Sequence, residues 1–369
     1  MRTLHVFLFA ISTLVPVASL AAQSAPSQPR AHAPLAVVGY VQAHDQTLSA
    51  SRSPLGVSVA AAETIVFGHG SSVRLHFDRS ELSKGSVLEI ASLLDGATER
   101  LCPKDFVGGC ASSAYFNGPA VRLQLIAGPG ATASSVHVCR LAVGGGSWTP
   151  TSICGLSDDR LPAQHNAVCR MVIELGSTIG VCTGWLVNTS NGIATAGHCL
   201  DMPDLTGMVA EFNVPLSNAD GSLVHPPAEH QYTYSPGTAR FVNGGVGNDF
   251  GVFRVGPKFR IFPYARQGTR FTLAAPQKNV SCTRAGCGSA DGVRNFALEA
   301  AIGDIDRVVG DEVRYRIDSS GGDSGGPVFR NGTVAVAVHT HSSCTVLFGT
   351  AFGTSAAHPT FASFVADLQ

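Results

Sequence analysis

Ser324 lies in the run Gly322-Asp323-Ser324-Gly325-Gly326-Pro327, His198 in Thr195-Ala196-Gly197-His198-Cys199, and Asp249 opens Asp249-Phe250-Gly251-Val252-Phe253. A serine hydroxyl is a weak nucleophile until an imidazole takes its proton. The imidazole in turn needs a carboxylate to fix its tautomer and to stabilise its charged form. The chain carries these three side chains in the order His, Asp, Ser, each in its own distinctive setting. Glycines on both sides of Ser324 let the backbone aim N–H groups at one spot, and the amides of Gly322 and Ser324 are the candidate oxyanion hole.

The flanking segments read as strands that present these residues. His198 follows Gly192-Ile193-Ala194-Thr195-Ala196, an apolar strand with small side chains, and Asp249 is a turn acid leading into an apolar strand. Asp220 is a substitute acid, but no matching apolar strand follows it. Gly322-x-Ser324-x-Gly326 also has the spacing of a nucleophile elbow. That device needs a helix directly after the serine, with its acid and histidine later in the chain. Here Pro327, Val328-Phe329 and Thr333 to Val338 read as strands, which excludes it.

On these motifs the chain resembles the chymotrypsin-like serine endopeptidases. The resemblance implies a double six-stranded β-barrel, with His198 as general base and then acid, Asp249 orienting it and Ser324 attacking. It also implies a Cys182–Cys199 disulfide beside His198. Gly155 to Arg160, Cys182-Thr183-Gly184-Trp185, Ala337-Val338-His339-Thr340 and Gly353-Thr354 are similar to the bacterial glutamyl endopeptidases, and the similarity runs from about Leu156 to Val365. Two pocket readings follow. His339 and Ser319 imply binding of a substrate carboxylate and cleavage after Glu. Asp318, six residues before Ser324, implies a trypsin-like pocket for Arg or Lys. Asp323 is the trypsin-type residue, which elsewhere pairs with a newly released N-terminal ammonium, so processing between about Gly144 and Leu161 is expected. A catalytically inactive binding protein on the same fold is the further alternative, and the complete triad argues against it.

The rest of the chain sets the context. Residues 1–22 read as a secretory signal, with Arg2 before an apolar run and small residues at Ala21 and Ala22. Residues 23–143 hold short period-two segments, such as Ser72 to Phe77, Val87 to Ile90, Val121 to Leu125 and Val136 to Val138, separated by turn residues. That pattern predicts an antiparallel β-sandwich, a propeptide or accessory module. It loosely resembles the CUB-like or P-domain-like sandwiches of some secreted proteases. Residues 144–155 are a glycine-rich linker and 156–369 the protease domain, so the fold class is all-β throughout. Pro359 starts a short terminal helix with Phe361, Phe364, Val365 and Leu368 on one face.

Ten cysteines in an exported chain indicate disulfides, and Cys102/Cys110 and Cys282/Cys287 are spaced to close small loops. The remaining pairing stays open. A net charge of −1 gives no reason to expect a nucleic-acid or anionic-membrane partner. No histidine cluster has zinc-ligand spacing, and no metal or cofactor is implied. The expectation is a secreted monomer that acts on protein or peptide substrates.

Overall fold

The computed structural model describes residues 35–50, 58–68, 70–145, 153–344 and 349–368. The expected signal segment and residues 146–152 of the expected linker lie outside them. The described chain is built from β-strands, with one short helix at Pro263–Gln267 and the anticipated terminal helix at Pro359–Ala366. Phe361, Val365 and Leu368 of that last segment are buried, and Phe364 packs against the same core.

The first described part is two sheets packed face to face. Strands Ser58–Val66, Ala120–Ala127, Val87–Ser92 and Thr98–Leu101 form a four-stranded antiparallel sheet. Opposite it lie Ala36–Ala50, Ser134–Gly144, Ser72–Glu81 and Ala111–Asn117. Alternate side chains meet between the layers: Val73, Leu75, Val136 and Leu141 from one, Leu88, Ile90, Leu123 and Leu125 from the other, all buried. The period-two pattern indicates β-structure in this part of the chain.

Two closed barrels follow. In the first, the order is Gln231–Thr233, Val209–Phe212, Val168–Leu175, Thr178–Leu186, Gly192–Thr195 and Asp249–Arg254, and a Tyr234–Val255 bridge joins the last strand back to the first. In the second, strands Val334–Ser342, Pro327–Arg330, Ser281–Gly286, Glu299–Val309, Glu312–Tyr315 and Ala351–Ser355 close on themselves, because the first and last also pair. Closure removes the free sheet edges that an open β-structure would leave. The main core joins both barrels, from Met171, Cys182, Trp185 and Phe253 to Ala285, Phe329 and Val338, and the terminal helix seals it through Phe361 against Phe250 and Trp185.

The sandwich and the first barrel share one sheet. Strand Ala36–Ala50 pairs on one side with Ser134–Gly144 and on the other with Thr178–Leu186, in the register Ala36 to Val181 and Tyr40 to Thr178. Period-two patterning identifies strands but not which sheet they join, so this seam was not visible in the sequence. Cysteine spacing misled for both of the pairs it suggested. Cys282 and Cys287 lie along and just past the extended strand Ser281–Gly286, so strand rise separates them by roughly 16 Å, beyond disulfide reach. Both are unpaired, as are Cys102 and Cys110.

A buried charge cluster sits at the seam. Glu174 is within 2.8 Å of Arg74 and 3.0 Å of His76, both from the sandwich. Burial opposes ionisation of Glu174, but Arg74 and His76 outweigh it and hold the carboxyl at about 2. The folded value lies below the ordinary one, so this stabilisation is complete above about pH 4.5 and disappears as pH falls toward 2. We therefore expect Glu174→Gln to cost on the order of 3 kcal/mol at neutral pH and far less near pH 2. Denaturant unfolding of both proteins across that range checks it, and a difference that stays constant with pH refutes it.

Candidate active site

His198 stands in a single 3-10 turn, Gly197–Cys199, directly after strand Gly192–Thr195. The turn packs so closely that a Cβ on Gly197 would lie 1.9 Å from the Val242 carbonyl oxygen, so only glycine fits there. Cys199 bonds to Cys182 on strand Thr178–Leu186, the disulfide that the resemblance implied. Asp249 opens its strand from a fully buried position, and its backbone is clamped by Thr354. The Asp249 N–H donates to Thr354 Oγ1 at 3.0 Å, and that hydroxyl donates back to the Asp249 carbonyl at 2.9 Å.

Asp249 grips His198 at two points. Oδ1 accepts the His198 backbone N–H at 3.0 Å, and Oδ2 accepts the Nδ1–H of the ring at 2.6 Å. Burial raises the cost of ionising Asp249, but the His198 bonds and nearby His341 prevail and hold its carboxyl below the usual value. An imidazole whose Nδ1 carries the proton keeps the Nε2 lone pair free to act as a base. Asp220, the substitute acid, is exposed and bonds only its local turn through Ser222.

Ser324 is brought to the same edge through its backbone. Its carbonyl accepts the Thr183 N–H at 2.8 Å and lies 3.8 Å from Cys199 Sγ. No bond between the Ser324 hydroxyl and the His198 ring is among the hydrogen bonds of the described residues. Such contacts commonly tighten only when substrate binds. The loop around Ser324 is held on all sides. Thr183 Oγ1 donates to the Gly322 carbonyl at 2.8 Å and accepts from the Cys287 N–H at 2.9 Å, while Trp185 Nε1–H donates to the Gly325 carbonyl at 3.0 Å. Gly322 has φ +106°, and a Cβ there would lie 2.5 Å from the Cys287 carbonyl oxygen, so the position demands glycine. The amides of Asp323, Gly325 and Gly326 donate to Ser320, His339 and Asp323 respectively. Among the described residues no acceptor meets the amides of Gly322 and Ser324.

The carboxylate of Asp323, next to Ser324, is fully buried and already neutralised. Arg284 lies 2.6 Å from one oxygen and Arg160 3.2 Å from the other. Burial opposes its charge, and Arg284 and then Arg160 overcome that cost and hold its carboxyl below the usual value. Its charge is thus met from within the chain. Arg160 was visible at the end of the Gly155–Arg160 marker. Nothing in the sequence singled out Arg284, because a strand arginine reads as a solvated one until the barrel closes over it.

The pocket residues separate. Asp318 is buried and turned to the segment ahead of the first barrel, where its two oxygens accept the N–H groups of Cys154 at 2.6 Å and Asp159 at 2.9 Å. Asp159 itself has its carboxyl raised to about 6, by burial and by the neighbouring Asp318. The same corner is pinned by the Cys154–Cys344 disulfide, a pairing that spacing left open. Ser319 is buried with no partner for its hydroxyl among the described residues. His339 is buried, and its Nδ1 lies 2.7 Å from the Tyr315 hydroxyl. Burial, followed by the positive charge of Arg284, pushes His339 down to about 3, so its ring is neutral here. His341, two residues on, lies 4.0 Å from Asp249 and has its ring centroid 6.0 Å from that of His198. The sequence reading did not single it out.

Ligand atoms of Cys182, His198 and Cys199 lie within 4.8 Å of one another. The two sulfurs are bonded to each other and offer no thiolate, so they do not make a metal site. No helix among the described residues is long and apolar enough to cross a membrane.

The chain matches the profile of the family described as Trypsin over residues 159–358. No curated protein matches it. Similar solved structures include a thermostable serine protease from an extremophilic microorganism, 17% identical with a TM-score of 0.43, covering 55% of this chain and 97% of that one. They also include the protease Anisep from Arthrobacter nicotinovorans, at 16%, 0.46, 56% and 99%. A Glu endopeptidase stands at 18%, 0.45, 58% and 99%. These structural likenesses are too low to bear on substrate or mechanism. The family match spans both barrels with His198, Asp249 and Ser324, and the chain belongs to the Trypsin family as a serine-type endopeptidase of the double-barrel fold.

Proposed function

We propose that this protein is an exported endopeptidase that cleaves after Glu through an acyl-enzyme formed on Ser324. The two-point grip of Asp249 on His198 carries the catalytic reading. It fixes the tautomer in which Nε2 accepts the Ser324 proton as the hydroxyl attacks the scissile carbonyl. The resulting imidazolium is stabilised by the Asp249 carboxylate and returns its proton to the leaving amine, and water then repeats the sequence to release the acyl group. The amides of Gly322 and Ser324, which meet no acceptor among the described residues, supply the oxyanion hole, each donor contributing about 3 kcal/mol in the transition state. Export accords with the apolar leader and with two disulfides in the protease part.

The choice of Glu rests on what Asp318 is doing. Both of its oxygens are engaged by the Cys154 and Asp159 amides, so it is not positioned as the floor of a pocket for Arg or Lys. The Ser319 hydroxyl, by contrast, is buried without a partner among the described residues. The Tyr315 hydroxyl reaches the Phe352 carbonyl at 3.2 Å as well as His339. With its proton on Phe352, Tyr315 accepts Nδ1–H from His339, and Nε2 is the ring atom left for a ligand. A substrate carboxylate there favours the imidazolium and raises the His339 value from about 3. Glu binding therefore takes up a proton, and affinity for Glu substrates weakens as pH rises above the complexed value.

Ser324→Ala is expected to lower turnover by on the order of 10⁶ with the fold intact. Purified protein retaining a hundredth of wild-type activity overturns the nucleophile assignment. Asp249→Asn should leave KM nearly unchanged and cut kcat by roughly 10⁴, because the imidazole then takes the wrong tautomer. Near-normal kcat in that variant removes Asp249 from the triad. Matched peptides with Glu or Arg before the cut, tested on wild type, His339→Val and Asp318→Asn, decide the pocket. The first substitution should raise KM for Glu, and the second should leave the preference unchanged. Rapid Arg cleavage abolished by Asp318→Asn establishes the trypsin-like pocket instead.

A further inference from the structure

The seam between the sandwich and the first barrel has the character of a folded core. Strand Ala36–Ala50 fills the edge of strand Thr178–Leu186, and Gly39 sits where its two neighbours converge. A Cβ on Gly39 would lie 2.4 Å from the Val143 carbonyl oxygen on one side and 2.9 Å from Ile179 on the other. Ala36, Val38 and Tyr115 from the sandwich share one apolar cluster with Val172, Val181 and Val209 from the barrel. Polar groups at the seam are matched across it. Gln231 of the barrel donates to the Tyr115 carbonyl at 2.9 Å and accepts the Tyr115 N–H at 2.7 Å. The His225 ring stacks on Tyr115 with centroids 4.5 Å apart and reaches the Ser72 hydroxyl at 3.0 Å. Arg74 reaches the Gly207 carbonyl at 2.7 Å besides Glu174.

We propose that the sandwich is a permanent partner of the barrels, held without a covalent tie, and that it braces the strand that positions the Ser324 loop. Separation would uncover a strand edge and an apolar patch together, and would break the Arg74–Glu174 ion pair. Both disulfides lie on the protease side, 154 to 344 and 182 to 199, so no sulfur bridge ties the sandwich on. The bracing follows from register. Strand Ala36–Ala50 pairs with Thr178 to Val181, and two residues further Thr183 makes three bonds, to Gly322, Ser324 and Cys287. A detachable leader has no reason to complete the sheet that carries the nucleophile loop.

The test uses the full chain with a specific cleavage sequence inserted between Gly145 and Ile153. After cutting, both fragments should elute as one species, with and without reductant. Titration with a reactive organophosphonate should count the same number of active sites before and after. In cut Glu174→Gln the sandwich should be retained roughly a hundredfold more weakly, and titratable sites should fall as it leaves. Uncut Glu174→Gln should keep its sites, because the tether maintains a high effective concentration. Release of the wild-type sandwich on cutting overturns the proposal. Loss of the sandwich from the variant with every active site retained overturns the bracing. The titration rests on Ser324 as nucleophile; if the probe labels neither the cut nor the uncut protein, that reading fails while co-elution still decides the docking.

Discussion

Thr183 is the point on which the site depends. Its N–H and its hydroxyl together bind the Ser324 and Gly322 carbonyls, and its oxygen takes the Cys287 amide. One fully buried side chain of the first barrel thereby fixes a loop that belongs to the second. The loop cannot hold this shape alone, because Gly322 and Gly325 occupy backbone conformations that have no ladder to stabilise them. With three carbonyl anchors and three internal amide donors satisfied, the amides of Gly322 and Ser324 meet no acceptor among the described residues. Catalytic sites of this kind work because donors are aimed before charge develops.

Charge inside the second barrel is arranged by the same logic. A carboxylate beside Ser324 is tolerable in a dry interior only with close cationic partners, and Arg284 and Arg160 supply them. Arg160 also bonds Asp158 at 2.8 Å and the Ser289 carbonyl at 2.7 Å, so it ties the segment ahead of the barrels to the wall beside the pocket. Asp318 does the same from the other direction through Cys154 and Asp159. The entry segment is therefore part of the site's support.

The seam with the sandwich extends this support outward. A strand edge left open invites pairing with another chain, and here the chain's own first strand covers it. The consequence is a continuous line of hydrogen bonds from Ala36 through strand Thr178–Leu186 to the Ser324 loop. The sandwich thus meets the catalytic barrels through backbone pairing, an apolar cluster and a buried ion pair, rather than through a linker alone.

The serine-type endopeptidase family was legible in the chain itself. Ser324 among glycines, His198 after a small-residue strand and Asp249 at a strand start are local patterns, and local patterns survive in a linear text. Period-two alternation likewise gave both halves as β-structure, and the apolar spacing after Pro359 gave the terminal helix. What folding decided was every relation between distant residues. The sequence set Asp318 and His339 against each other as pocket residues, and only the closed barrel showed that backbone amides 159 and 164 residues away in the chain occupy the Asp318 carboxylate. The Asp323 carboxylate was visible beside Ser324, but its pairing with Arg284 across the barrel wall was not. Cys282 and Cys287 looked near until an extended strand drew them apart, whereas Cys154 and Cys344 looked remote until the barrels brought them together. Side-chain type and spacing record what a segment can do, but burial, charge pairing and strand order depend on contacts that the chain makes only when its distant parts pack.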